Sequence, residues 1–200
     1  MGINNQEHED RNALGFEGDT IMRDKIRSII ENNGIKTVVE TGTYKGATTR
    51  WLAQWADKVY TFESNEANFD IAKSTLSGCD NVCMSNIDSV DGLQTLDEHG
   101  LLNSKEKVFF FLDAHWQENN PLLDELKVIS EMNIIPFISI HDFKVPDSDL
   151  GFDSYNGQDY EWSWIVKSIE KIYGKDGYTI EYNSAAIGAR QGIIYLYPKQ

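Results

Sequence analysis

The chain has 200 residues, two cysteines and a net charge of −14. That length suits one α/β domain with a core large enough to be stable alone. The acidic balance and the lack of a basic stripe exclude nucleic acid as an expected partner, and no apolar run approaches a membrane span. Cys79 and Cys83 stand in a C-x-x-x-C spacing with no third thiol, so neither a zinc site of cysteines nor a disulfide framework is expected. This fits a reducing cytoplasm, and no secretory leader is read at the start. Cys83 falls in an expected strand and reads as a small buried hydrophobe.

Residues 1–18 are polar without apolar period and read as a flexible N-terminal arm; residues 19–200 read as a single domain. A helix is expected from Asp19-Thr20 through Ile21, Ile26, Ile29 and Ile30, ended by Asn32-Asn33-Gly34 with glycine at the left-handed cap. Alternation then begins. Strands are expected at 37–41, 58–63, 81–85, 108–112 and 134–140, with helices at 46–56, 66–77, 89–98, 121–130 and 160–173. Two last strands, 178–182 and 192–197, are joined by a short polar stretch. Repeated β-α units imply a doubly wound, mostly parallel sheet with helices on both faces; the final pair implies an antiparallel hairpin at the edge. Residues 143–159 form a long acidic loop with aromatics and glycines, of the kind that is functional or disordered in compact domains.

The first strand and its turn, Thr37-Val-Val-Glu-Thr-Gly-Thr-Tyr-Lys-Gly46, are the most informative segment. In an open α/β sheet, ligands bind outside the carboxyl ends of strands. Glu40, Thr41, Gly42 and Gly46 follow the first strand, Glu63 ends the second, Asp88-Ser89 follows the third, Asp113 ends the fourth and His141-Asp142 end the fifth. Topology puts all of them on one rim. Gly42 is expected to let backbone approach a ligand closely. Glu63, about twenty residues past the turn, can accept ribose hydroxyls, and Asp88 can accept from an adenine amino group. Tyr44 replaces the middle glycine of the dinucleotide fingerprint, and Glu40 would repel phosphate, so a cationic or zwitterionic nucleoside is favoured.

Glu40-Thr-Gly-Thr-Tyr-Lys-Gly46, Glu63 and Asp88-Ser89 resemble the cofactor motifs of class I S-adenosylmethionine-dependent methyltransferases. The β-β ending resembles their Rossmann-like, seven-stranded sheet with an antiparallel last strand. The resemblance implies that Glu40, Thr41, Gly42, Gly46, Glu63, Asp88, Ser89 and Asp113 form the S-adenosylmethionine site. Phe111-Leu-Asp113-Ala-His115-Trp116 narrows the match to metal-dependent O-methyltransferases of the catechol type. It implies that Asp113 binds a divalent cation, with His141-Asp142 standing where that family has its other oxygen ligands. An imidazole beside two carboxylates suits Mn²⁺, Fe²⁺ or Zn²⁺ better than Mg²⁺.

The chain departs from that pattern at two points. Ala114 is inserted before the His-Trp pair, and Gln117 occupies the place of the family's catalytic lysine. Glutamine is no base, so His115, His141 and Lys144 become the catalytic candidates. A simpler role for both histidines is to hydrogen-bond loop backbone with no metal bound. The expected reaction is methylation of an oxygen on a small-molecule or sugar acceptor. A protein that keeps the fold for nucleoside binding, or for another chemistry, is the alternative. The 143–159 loop, with Tyr160, Trp162 and Trp164, is a candidate lid, although packing of the tryptophans on the sheet accounts for at least one of them. The sequence leaves open whether the chain is a monomer or a homodimer.

Overall fold

The computed structural model describes residues 14–115 and 120–199. Nine strands are described: β1 Thr37–Thr41, β2 Lys58–Phe62, β3 Val82–Ser85, β4 Lys107–Leu112, β5 Ile135–His141, β6 Ser154–Tyr155, β7 Gln158–Asp159, β8 Tyr178–Tyr182 and β9 Ile193–Pro198. The helices are α1 Thr20–Asn33, α2 Ala47–Leu52, α3 Glu66–Thr75, α4 Ser89–Glu98, α5 Leu122–Glu131 and α6 Trp162–Tyr173.

The main sheet has seven strands in the order β3-β2-β1-β4-β5-β9-β8. The first five are parallel, and β9 is antiparallel to both β5 and β8. The antiparallel strand therefore lies one place inside the edge, with β8 outermost. The order reverses between β1 and β4, so the carboxyl ends of β1, β2, β4 and β5 open onto one crevice.

Strand side chains alternate between two cores, as the pleat requires. Val39, Phe110, Leu112, Ile138 and Ile140 pack with α4, α5 and α6 on one face. Val38, Phe109, Phe111, Phe137 and Tyr195 pack with α1 and α2 on the other. Because both faces are covered, β4 is apolar from Val108 through Leu112 rather than alternating.

Three expectations are corrected. Phe16–Gly18, read as part of a polar arm, forms a 3₁₀ turn in which Phe16 is 2% exposed. Its ring meets Trp51 and Phe111 edge-on at centroid distances of 5.1 and 5.2 Å. A lone aromatic between polar residues has no period to announce its burial; residues 1–13 of the expected arm lie outside the described residues. Cys83 is exposed rather than buried, because β3 is an edge strand whose alternate residues face outward. The 143–159 loop contains the β6–β7 hairpin, anchored by backbone hydrogen bonds from Asp153 N to the Asp142 carbonyl and from Tyr160 N to the Asp153 carbonyl.

Candidate active site

A cleft of about 890 Å³ lies at the carboxyl ends of the parallel strands. Gly42, Glu63, Asp88, Ser89, Asp113, His115, His141 and Asp142 all line it, so eight of the expected residues converge. Glu40, Thr41, Gly46 and Lys144 do not, and each has a structural reason.

Glu40 is fully buried beneath the turn. Thr49 Oγ1 and Thr61 Oγ1 donate to its Oε2 at 2.5 and 2.6 Å, while Oε1 has no protein partner. Burial pushes its carboxyl up to about 8, against the opposing pull of the two hydroxyls. A strand covered on both faces turns this side chain into the core, where it ties α2 and β2 to β1. Thr41 is likewise buried, and its Oγ1 accepts from Asp113 N at 3.2 Å. Gly46 caps α2 at φ +83°, where a Cβ would lie 3.2 Å from the Leu76 side chain. Lys144 Nζ is held by Asp159 at 2.6 Å and by Glu161 at 3.4 Å, away from the cleft. The hydrogen bond to Asp159 raises its pKa, so it stays a cation and is no candidate base.

Gly42 also differs in detail from its expected role. Its φ is +82°, and an added Cβ would stand 2.4 Å from the Asp113 carbonyl oxygen. The close approach that needs glycine is to the backbone just past β4, at Asp113 and Ala114. The same turn is pinned from the other side. Gly42 N and Thr43 N both donate to the Phe62 carbonyl, and Tyr44 N donates to Glu63 Oε2 at 2.7 Å.

One end of the cleft therefore presents carboxylates held by backbone donors. Glu63 Oε1 accepts from Asn65 N at 2.8 Å, so backbone donors on both oxygens fix the carboxylate in place. Asp88 caps α4 through Val90 N at 3.0 Å. Beneath it, the buried Glu125 faces the Ser89 and Thr41 hydroxyls, and burial pushes its carboxyl up to about 7.

The other end is a cluster of imidazoles and carboxylates. His141 Nδ1 lies 3.2 Å from Asp113 Oδ1 and 3.3 Å from Asp142 Oδ2. His115 Nε2 lies 2.9 Å from Asp142 Oδ2 and 3.4 Å from Asp153 Oδ2. Asp142 adopts φ +53°, a left-handed conformation that aspartate tolerates better than most residues. Burial alone would lower both histidines, but the neighbouring carboxylates outweigh it and raise them. Burial alone would raise Asp142, but the His141 charge and the His115 hydrogen bond hold it well below the usual carboxylate range.

Asp113, His141 and Asp142 thus come together as expected, and their donor atoms lie within 4.8 Å of one another. Asp153 and Phe16, which also line the cleft, carried no sequence signal: one sits in an irregular acidic loop and the other in an unpatterned segment. Trp162 and Trp164 pack on the sheet's apolar core instead of lining the cleft. Trp116 and Gln117 lie outside the described residues.

No protein-family model matches the chain, and no curated protein matches it in sequence. Solved structures do match. The O-methyltransferase TomG from Streptomyces achromogenes, crystallised with SAM, aligns at a TM-score of 0.65 and 16% identity, over 98% of this chain and 87% of that one. An O-methyltransferase from Bacillus cereus, in complex with SAH, aligns at 0.63 and 20% identity, over 98% and 90%. The N-terminal domain of EvdMO1 with SAH bound aligns at 0.57 and 17% identity, over 89% and 81%. The chain has the class I methyltransferase fold. Among its described residues, no helix is long and apolar enough to cross a membrane.

Proposed function

We propose that this chain is an S-adenosylmethionine-dependent methyltransferase that methylates an oxygen of a small molecule or sugar. The observation that carries this reading is that one cleft is lined by Glu63 and Asp88 together with Asp113, His115, His141 and Asp142. The first two would take the nucleoside, and the other four would face the acceptor. The matched O-methyltransferases crystallised with SAM or SAH support the same cofactor here.

Glu63, preset by its two backbone donors, would accept the ribose hydroxyls, and Asp88 would accept from the adenine amino group. Gly42 would bring the turn backbone against the cofactor's amino-acid portion. Backbone-fixed acceptors lose little freedom when the ligand binds, which favours orientation of the reacting methyl.

The donor set fits a divalent cation. Asp142 Oδ1 is buried with no protein hydrogen bond, and the ligating atoms of Asp113, His141 and Asp142 already converge. A buried carboxylate oxygen without a partner is costly, and a cation relieves it. These three residues would hold the ion, which when bound supplies Lewis acidity to an acceptor hydroxyl. The cluster's carboxylates and imidazoles would orient that hydroxyl toward the methyl and would lie within reach of its proton.

Titration calorimetry with S-adenosylmethionine and S-adenosylhomocysteine tests the reading. Both should bind at sub-millimolar concentration, and labelled methyl should pass to a hydroxyl acceptor in a small-molecule panel. Absence of binding by either ligand would overturn the cofactor assignment. Binding of both with no methyl consumed by any acceptor would point instead to a nucleoside-binding protein of the same fold.

A further inference from the structure

We propose that the metal site is larger than a strand-end triad: Asp113, His115, His141, Asp142 and Asp153 form one mononuclear centre of two imidazoles and three carboxylates. This centre prefers a transition metal to Mg²⁺, and through Asp153 it ties the β6–β7 hairpin to the ion. The inference rests on the cation assignment made above and extends it to two residues from outside the strand ends.

The spacing of the donor atoms carries it. Ligands bound at about 2.0–2.2 Å to a single ion stand roughly 3–4 Å from one another. His141 Nδ1 is 3.2 Å from Asp113 Oδ1 and 3.3 Å from Asp142 Oδ2. His115 Nε2 is 2.9 Å from Asp142 Oδ2, 3.4 Å from Asp153 Oδ2 and 3.9 Å from Asp113 Oδ1. Each of these five contacts has about the length that two ligands of one ion show. Two overlapping three-residue groups arise, and Asp142 belongs to both. The second, independent observation is Asp142 Oδ1, buried without a protein partner on the carboxylate whose other oxygen contacts both histidines.

The surroundings hold the donors in place. His115 packs against the rings of Tyr160 and Tyr155, at centroid distances of 4.9 and 5.8 Å, so aromatic contacts hold its imidazole. Tyr155 Oη donates to Asp153 Oδ2 at 2.9 Å, and Asp153 N donates to the Asp142 carbonyl. Hydrogen bonds to ligating carboxylates of this kind orient them and tune the site. Two imidazoles shift preference toward Mn²⁺, Fe²⁺, Co²⁺ or Zn²⁺, since Mg²⁺ favours an oxygen shell rich in water.

The test uses the full chain, stripped of metal by chelation and titrated calorimetrically with MnCl₂, ZnCl₂ and MgCl₂. One equivalent of Mn²⁺ or Zn²⁺ should bind at least ~100-fold more tightly than Mg²⁺. Asp153→Asn should weaken Mn²⁺ binding by roughly tenfold or more. In the wild type, Mn²⁺ should slow hydrogen exchange at the Tyr160 N–H that donates to Asp153; in the variant it should not. Electron spin-echo modulation of the Mn²⁺-loaded wild type should show two imidazole nitrogens, a readout that survives even if the variant fails to fold. Equal affinity for Mg²⁺, a stoichiometry of two, fewer than two imidazoles, or no metal binding would each overturn the proposal. S-adenosylmethionine titrated into the metal-free protein separates the outcomes. Cofactor binding without metal binding would sink this inference and leave the cofactor assignment standing.

Discussion

The Glu63 carboxylate accepts the Tyr44 backbone N–H at 2.7 Å, which couples the end of β2 to the turn after β1. This contact links the glycine turn to the acid expected to hold a ribose, and a second donor, Asn65 N, completes the hold at 2.8 Å. Glu63→Ala removes both the ligand acceptor and the pin on the turn. Binding of S-adenosylmethionine and S-adenosylhomocysteine should weaken alike, by about 10–100-fold, the range for a lost hydrogen bond to a charged group. Glu63→Gln keeps one acceptor oxygen and should lose less. Calorimetry decides, and unchanged affinity in Glu63→Ala would remove Glu63 from the cofactor site.

Glu40 makes a prediction about pH. Its folded pKa is raised to about 8 from an ordinary value of 4.5, chiefly by burial. Between these values the folded chain binds a proton that the unfolded chain has released. The associated stability is therefore complete below about pH 4.5 and is lost as pH rises through 8. Glu40→Gln can still accept from Thr49 and Thr61, and it has no proton to lose. Its stability relative to wild type should rise between pH 6 and pH 8.5, by an amount of order 1–3 kcal/mol. Urea denaturation at the two pH values checks this; a parallel pH profile in the variant would mean that Glu40 is ionised in the fold.

Much of this site was legible in the sequence, and the reason is topological. Parallel strands point their carboxyl ends the same way, so Glu63, Asp88, Asp113 and Asp142 could be assigned to one rim without knowing any contact. Strand β1 and helix α4 coincide with the expected segments because a β-branched run and an Asp88 cap are local signals. What was not legible depends on contacts between distant segments. Glu40 belongs to the first motif, yet a strand covered on both faces sends its side chain into the core. Phe16 packs on Trp51 and Phe111 across more than thirty residues of chain, and nothing in its neighbours reveals that. Asp153 sits in a loop with no period, and backbone bonds to Asp142 and from Tyr160 bring it beside His115.

Lys144 and Asp142 were both candidates near the end of β5, and the structure separates them. Lys144 bridges Asp159 and Glu161 at the surface, with its side chain 40% exposed. An exposed ion pair of this kind contributes about 0–1 kcal/mol. Lys144→Ala should therefore leave methyl transfer within about twofold of wild type and stability within about 1 kcal/mol. Asp142→Ala removes the carboxylate that contacts both His115 and His141. It should reduce turnover by at least ~100-fold while the chain still binds S-adenosylhomocysteine. Initial rates with labelled methyl donor measure both variants. A strong loss in Lys144→Ala would return that lysine to the reaction.

Gly42 and Gly34 allow backbone conformation to be separated from close contact. Both have positive φ, +82° and +61°, but a Cβ at Gly34 meets nothing within 4 Å, whereas at Gly42 it would strike the Asp113 carbonyl oxygen at 2.4 Å. Gly34→Ala should cost only the left-handed term, about 1–2 kcal/mol. Gly42→Ala carries that term plus the clash, and relief requires β1 and β4 to part where Asp113 N bonds to the Thr41 carbonyl. Its destabilisation should exceed that of Gly34→Ala by at least ~1 kcal/mol. The displacement reaches the functional cluster through Asp113, so Gly42→Ala should also weaken S-adenosylhomocysteine binding, and Gly34→Ala should not. Urea midpoints and calorimetry on the two variants test this directly. Equal destabilisation with equal affinity would show that the turn yields without disturbing β4, and that Gly42 is needed for its φ alone.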